Sequence, residues 1–259
     1  MLFARFRYRD REAYGIVEDD RIRPIQGDPF GDRRALDEAL PLADITLMAP
    51  VRPGKILAAA VNSPSHVASG RAILGDAQAP KQPELFLKPS SSVIGPEEAI
   101  VLPPGAGRVD YEGELVAVIG RPCRHVSPDQ ALQFVFGYTC GNDVSARHWQ
   151  RGDLQWWRAK GSDTFAPIGP FIATGLNPAH LELRTRLNGR QVQSSNTAAL
   201  IFSLAQLVSW ASQVMTLEPG DLLFTGTPGE TGALTPADIV EVEIDGIGVL
   251  RNPVVAHGG

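Results

Sequence analysis

The 259-residue sequence predicts an α+β fold in which strands dominate. Three observations lead there. Twenty-six glycines and 21 prolines break the chain into short runs. Most of those runs have the length and residue types of strands rather than helices. Only two stretches carry helix signals, so the βα alternation of a doubly wound sheet is absent.

In chain order, FARFRYRD and YGIVEDDRIRPIQG alternate around an Asp-Asp turn and predict a small β-rich domain over residues 1–50. Pro50 and Pro53 then bracket the start of a larger domain, residues 51–259, which opens with a buried strand, ILAAAV, at 56–61. Further strands are expected at 84–89, 113–120, 170–175, 183–189, 221–226 and 239–252. Ser127 caps a first helix with Pro128 at its first position, and residues 201–215 carry apolar side chains at helical spacing.

Composition narrows the function. With 43% apolar residues, 20% charged residues and a net charge of -5, the chain reads as an ordinary soluble protein. It has no broad attraction for nucleic acid or an anionic membrane, so neither is expected as a partner. Apolar runs fall short of the roughly 20 residues of a spanning helix. Arginines interrupt the N-terminal MLFARFRYRD, so no signal peptide is expected and a cytoplasmic location follows. Cys123 and Cys140 lack the spacing of a zinc site and read as structural thiols.

The chemistry lies in VDYEGELVAVIG, residues 109–120. As a strand it places Glu112 and Glu114 on one face, about 6.6 Å apart at Cα. Leu115 to Ile119 are apolar, so the carboxylates stand where the strand enters the core. Two like charges there repel unless a cation joins them, or unless both simply reach water at a solvated strand end. Asp143, in GNDVSAR after an apolar run, adds a third carboxylate; alone it reads equally well as a cap or turn residue. Three oxygen ligands without His or Cys suit Mg²⁺, Mn²⁺ or Ca²⁺ and disfavour zinc.

Six segments, LFLKPSSSVIGP, VDYEGELVAVIG, GYTCGNDVSAR, RAKGSDTFAPIGP, TLEPGDLLFTGTPGETG and VEIDGIGVLRNPV, resemble in order the core motifs of the fumarylacetoacetate hydrolase family. The resemblance implies a mixed β-sandwich roll enclosing the site, usually in a homodimer. It implies Glu112, Glu114 and Asp143 as ligands of Mg²⁺ or Mn²⁺ and Lys160 as a catalytic residue contacting substrate or a metal-bound oxygen. Lys88, Gln150 and Thr227 match substrate-pocket positions, with support of the site or a turn as the alternative. A small 2-oxo acid is the implied partner, chelating the ion through its carboxylate and keto oxygens.

One stretch departs from the family pattern. Relatives carry a lid segment with a Tyr and a His–Glu dyad; this chain keeps Asn62 and His66 but has Ser63 and Ser69 for the Tyr and Glu. His66 remains the expected general base, with His148 as a second candidate. Arg71, just after the lid, is a candidate for a substrate carboxylate. Trp149, Trp156 and Trp157 read as packing or interface residues. Hydrolysis of a carbon–carbon bond in an acylpyruvate-type 2,4-dioxo acid, a reaction of aromatic catabolism, is the leading expectation. Decarboxylation of an oxaloacetate-type substrate, isomerisation of a 2-hydroxyhepta-2,4-diene-1,7-dioate-type substrate, and a catalytically weak dicarboxylate-binding role are the alternatives.

Overall fold

Glu114 is the only ionisable side chain in residues 113–119, and the rest of that run is small or apolar. Such a segment forms a strand buried on both faces, and Gly113–Ile119 is one. The computed structural model describes residues 1–67 and 79–258. Among them, Gly113–Ile119 lies inside a 13-stranded mixed sheet. Val135–Asn142 pairs with it antiparallel on one side and Leu222–Phe224 on the other. Beyond Leu222–Phe224 the sheet continues through Ile56–Ala60 to an edge strand, Glu84–Lys88.

On the other side Val135–Asn142 pairs with Ala166–Ala173. That strand in turn takes up Leu2–Tyr8, through Leu2 opposite Ala173 and Phe3 opposite Ile172. The first fifty residues therefore extend the large sheet, as the meander Leu2–Tyr8, Arg11–Glu18 and Arg21–Gly27. The expected Asp-Asp turn joins the last two, with Asp19 at φ 55°. Short polar side chains tolerate that left-handed conformation.

Alternation along the central strand sorts the core. Leu115, Ala117 and Ile119 face Leu207, Val208 and Ala211 of the helix Leu204–Val214, together with Leu183, Val242 and Leu250 of a second sheet. That sheet runs Ile100–Leu102, Gly248–Ala256, Ile239–Ile244, Glu182–Leu187, Arg190–Asn196. Val116 and Val118 face the opposite way, against Ile56, Ala58, Ile168 and Phe224. The architecture is thus the strand-dominated α+β fold that the punctuation predicts, with its sheets packed as the family resemblance implies.

The helix expected at 201–215 spans Leu204–Val214, closed by a capping box of Ser203 and Gln206. The helix after Ser127 is a single turn, Pro128–Ala131, and the Ser127 side chain makes no cap hydrogen bond. Residues 239–252 turn at Asp245 to Ile247, giving two strands instead of one. Arg190–Asn196 escapes sequence reading because RQVQSSN is polar; it is an edge strand with one face to solvent. No described helix is long and apolar enough to cross a membrane.

Gly141 stands directly opposite Glu114. A Cβ there would meet a Val116 methyl group and come within 2.6 Å of the Phe224 ring. Gly141→Ala is therefore expected to destabilise the protein by about 1–3 kcal/mol. A thermal melt should show a drop of about 2–4 °C per kcal/mol. An unchanged melting temperature would contradict this packing.

Candidate metal centre

Two neighbouring strands deliver three carboxylates to one point. Glu112 immediately precedes Gly113–Ile119, and Glu114 is its second residue. Asp143 immediately follows Val135–Asn142, whose Asn142 pairs with Gly113. The Asp143 N–H donates to the Glu112 carbonyl at 2.8 Å, and the Glu112 N–H donates to Asn142 Oδ1 at 2.8 Å. These bonds lock the two strand ends together. All three carboxylates are buried, and each offers an oxygen within 4.8 Å of the others.

Three buried cations surround them. Lys160 Nζ donates to Glu112 Oε2 at 2.7 Å and to Asp143 Oδ2 at 2.5 Å. Lys88 Nζ donates to Asp143 Oδ1 at 2.5 Å. Arg147 Nη2 donates to Glu112 Oε1 at 2.5 Å. Burial works against ionised Glu112, but Arg147 and Lys160 outweigh it and hold this carboxyl below the usual range. Lys160 is likewise opposed by burial yet raised by Asp143 and Glu112. For Lys88 burial prevails over Asp143, and its ammonium is pushed down.

Glu114 differs. Among the described residues its carboxylate is met only by the Gly226 N–H, at 2.6 Å. Burial, then Asp143 and Glu112, push its carboxyl well above the usual range. A divalent cation shared by the three would relieve that repulsion. The oxygen-only donor set suits a hard ion such as Mg²⁺, Mn²⁺ or Ca²⁺. Each carboxylate oxygen carries two lone pairs, so the lysine contacts leave acceptor capacity for such an ion. The residues fit the group.

His66 lies on a helical turn at 64–67, where it is 9% exposed. Its Nδ1 is 3.0 Å from the Gly229 carbonyl. It is near enough to Glu112 to help hold that carboxyl down, after Arg147 and Lys160. Thr227, on the same loop as Gly229, donates its hydroxyl to the Gly113 carbonyl at 3.0 Å and accepts from Gln193 at 3.0 Å. Its hydroxyl thus pins the loop to the carboxylate strand. Gln150 is buried on the short helix Arg147–Gly152, its Oε1 accepting from Arg147 at 2.8 Å. His148 is exposed on that helix, and Trp157 is largely exposed. Trp156 packs edge-on against Phe86, whose ring lies 5.0 Å from Lys160 Nζ. Arg71 and Ser69 lie outside the described residues.

Sequence reading overlooked Arg147, Gly226, Gly229 and Asp110. Asp110 was findable, because the alternation that pairs Glu112 with Glu114 reaches back to it. Gly226 and Gly229 contribute backbone atoms, which no side-chain pattern reveals.

Comparison with known proteins bears on this geometry. Residues 55–255 match the model of the fumarylacetoacetate (FAA) hydrolase C-terminal domain. The chain belongs to the fumarylacetoacetate hydrolase family. Residues 1–50 match the Rv2993c-like N-terminal model. Protein Rv2993c of Mycobacterium tuberculosis is 46% identical, over 94% of this chain and 91% of that protein. The oxaloacetate tautomerase Fahd2a of Rattus norvegicus, a mitochondrial protein, is 40% identical over 86% of this chain and 74% of its own. The crystal structure of 5-carboxymethyl-2-hydroxymuconate delta-isomerase from Mycobacterium smegmatis superposes with a TM-score of 0.92 at 44% identity, covering 99% of this chain and 100% of that one. A maleylpyruvate hydrolase from Sphingobium sp. SYK-6, solved with manganese(II) and pyruvate, gives 0.81 at 31% identity, covering 99% of each chain. Members of this family are enzymes, among them isomerases, a tautomerase and hydrolases.

Glu114 yields a test independent of turnover. A carboxyl that holds its proton more tightly in the folded chain costs stability as pH rises through the carboxylate range. At neutral pH, Glu114→Gln should therefore melt at or above the wild-type temperature when both are metal-stripped. It should also lose Mn²⁺ binding. A lower melting temperature with Mn²⁺ affinity retained would contradict both the charge conflict and the ligand role.

Proposed function

We propose that the protein is a divalent-cation-dependent isomerase of small 2-oxo dicarboxylic acids, moving a proton between the carbon next to the keto group and the keto oxygen. The observation that carries this reading is the contact of His66 Nδ1 with the Gly229 carbonyl beside the carboxylate cluster. A carbonyl accepts, so Nδ1 donates a proton to it, and in the neutral ring the lone pair falls on Nε2. The Gly229 carbonyl thereby orients the His66 ring beside the carboxylate cluster.

A base so held can take the proton from the carbon next to a keto group that a bound cation would activate. A cation held by Glu112, Glu114 and Asp143 would supply Lewis acidity to a chelating 2-oxo acid. Lys160 and Lys88 keep the ligand carboxylates in place and put positive charge where an oxyanion develops. Phe86 and Trp156 wall one side of Lys160 and limit water there. The isomerase and tautomerase relatives at 44% and 40% identity support the same class of reaction.

Hydrolysis of an acylpyruvate-type substrate is the second reading, favoured by the manganese- and pyruvate-bound maleylpyruvate hydrolase of the same fold. Enol–keto conversion of oxaloacetate, followed by ultraviolet absorbance with Mg²⁺ or Mn²⁺, tests the first reading directly. Metal-dependent acceleration is expected, and His66→Ala should slow it by roughly 10²–10⁴-fold while Mn²⁺ binding persists. Metal-dependent release of pyruvate from acetylpyruvate without any isomerisation would replace the proposal with the hydrolase reading.

A further inference from the structure

Asp110 is fully buried, two residues before Glu112, and both carboxylates meet the Arg147 guanidinium. Its Oδ2 accepts from Arg147 Nε at 2.9 Å, from the Thr231 hydroxyl at 2.7 Å and from Arg108 Nη2 at 3.0 Å. Its Oδ1 accepts from Arg108 Nε at 2.6 Å. The Thr231 hydroxyl also accepts from Arg147 Nη2 at 2.9 Å, which closes a triangle of Asp110, Thr231 and Arg147. The remaining contact of that Nη2 is Glu112 Oε1. One guanidinium is thus divided between two buried carboxylates.

We propose that Asp110 is a positioning residue for the cation site, acting through Arg147 on Glu112; this rests on the reading of Glu112, Glu114 and Asp143 as cation ligands. The argument is one of charge and geometry. An arginine facing a lone carboxylate closes on it with both prongs of its planar fork. Asp110 prevents this by holding Nε, so that Nη2 reaches Oε1 only. Glu112 Oε2 then stays on the side of the cluster, beside Lys160 and Asp143. Asp110 also offsets part of the Arg147 charge that would otherwise compete with a divalent ion for Glu112. Thr231 ties the same arrangement to the loop carrying Gly226 and Gly229, which hold Glu114 and His66.

Asp110→Asn keeps the shape of the side chain and removes its charge. Partners one step removed from a metal site typically change affinity by about 10–100-fold. Mn²⁺ titrated into metal-stripped full-length Asp110→Asn, with free Mn²⁺ read by electron paramagnetic resonance, should show a Kd raised by that factor. Activity should recover as Mn²⁺ is raised, so that the change appears in the metal requirement more than in kcat. A residue that merely braced the fold would lower the melting temperature and leave the Kd of the folded protein untouched.

Thr231→Val, which leaves Asp110 and both arginines in place, is the second variant and decides the matter if Asp110→Asn does not fold. It should raise the Kd in the same direction by a smaller factor. A Kd equal to the wild type in every variant that folds overturns the proposal. Absence of Mn²⁺ binding by the wild type overturns the cation-site reading itself, a result distinct from the first.

Discussion

Three carboxylates buried at one point set the terms for everything around them. Isolated charges in a protein interior are expensive unless paired, so the sheet that buries Glu112, Glu114 and Asp143 must also bring compensating charge. It does so from separate elements: Lys88 from the end of an edge strand, Lys160 from the short helix Trp157–Gly161, and Arg147 from the start of the short helix Arg147–Gly152. Each of these segments is fixed in place by the demand at the centre. The compensation is uneven, and Glu114 is the carboxylate left over. A site that neutralised all three with its own side chains would have no use for an ion.

The opening of the core is where sequence reading was strongest. Alternation in VDYEGELVAVIG puts Glu112 and Glu114 on one face, and the apolar tail puts them at the edge of the core. The long helix was legible from the apolar spacing of residues 201–215, and its capping box of Ser203 and Gln206 came only with the structure. Arg190–Asn196 was not, because an edge strand wet on one side needs no hydrophobic signature. The tertiary partners of the carboxylates were harder still. Lys88 lies 55 residues from Asp143, and Lys160 lies 48 from Glu112. Only the family resemblance pointed to them. Spacing along the chain carried no trace of either pair.

The loop Thr225 to Gly232 shows the same division between what is written in side chains and what is not. Thr227 reads from the motif as a pocket residue or as support of the site or a turn, and its hydroxyl bonds the backbone of the carboxylate strand and Gln193. The chemistry of the loop comes from two glycines, one giving its N–H to Glu114 and the other its carbonyl to His66. Gly226 adopts φ 97°, a conformation that side chains resist, and a Cβ there would press on Asn62. Asn62 in turn bonds the Thr225 carbonyl at 2.7 Å. The segment carrying His66 and the loop facing it are therefore mutually seated.

The pairing of Leu2 and Phe3 with Ile172 and Ala173 has a meaning for how this architecture travels between proteins. A sheet edge exposes a row of unmet N–H and C=O groups and invites another chain to pair with it. The first fifty residues cover the Ile172–Ala173 end of that edge, and Val93–Ile94 covers its Ala166–Pro167 end. The carboxylate-bearing sheet transplanted without the first fifty residues would present a sticky border, prone to aggregation, while Glu112 and Glu114 stayed intact two strands away. The leading segment serves as a selvedge, the woven border that keeps a fabric from unravelling.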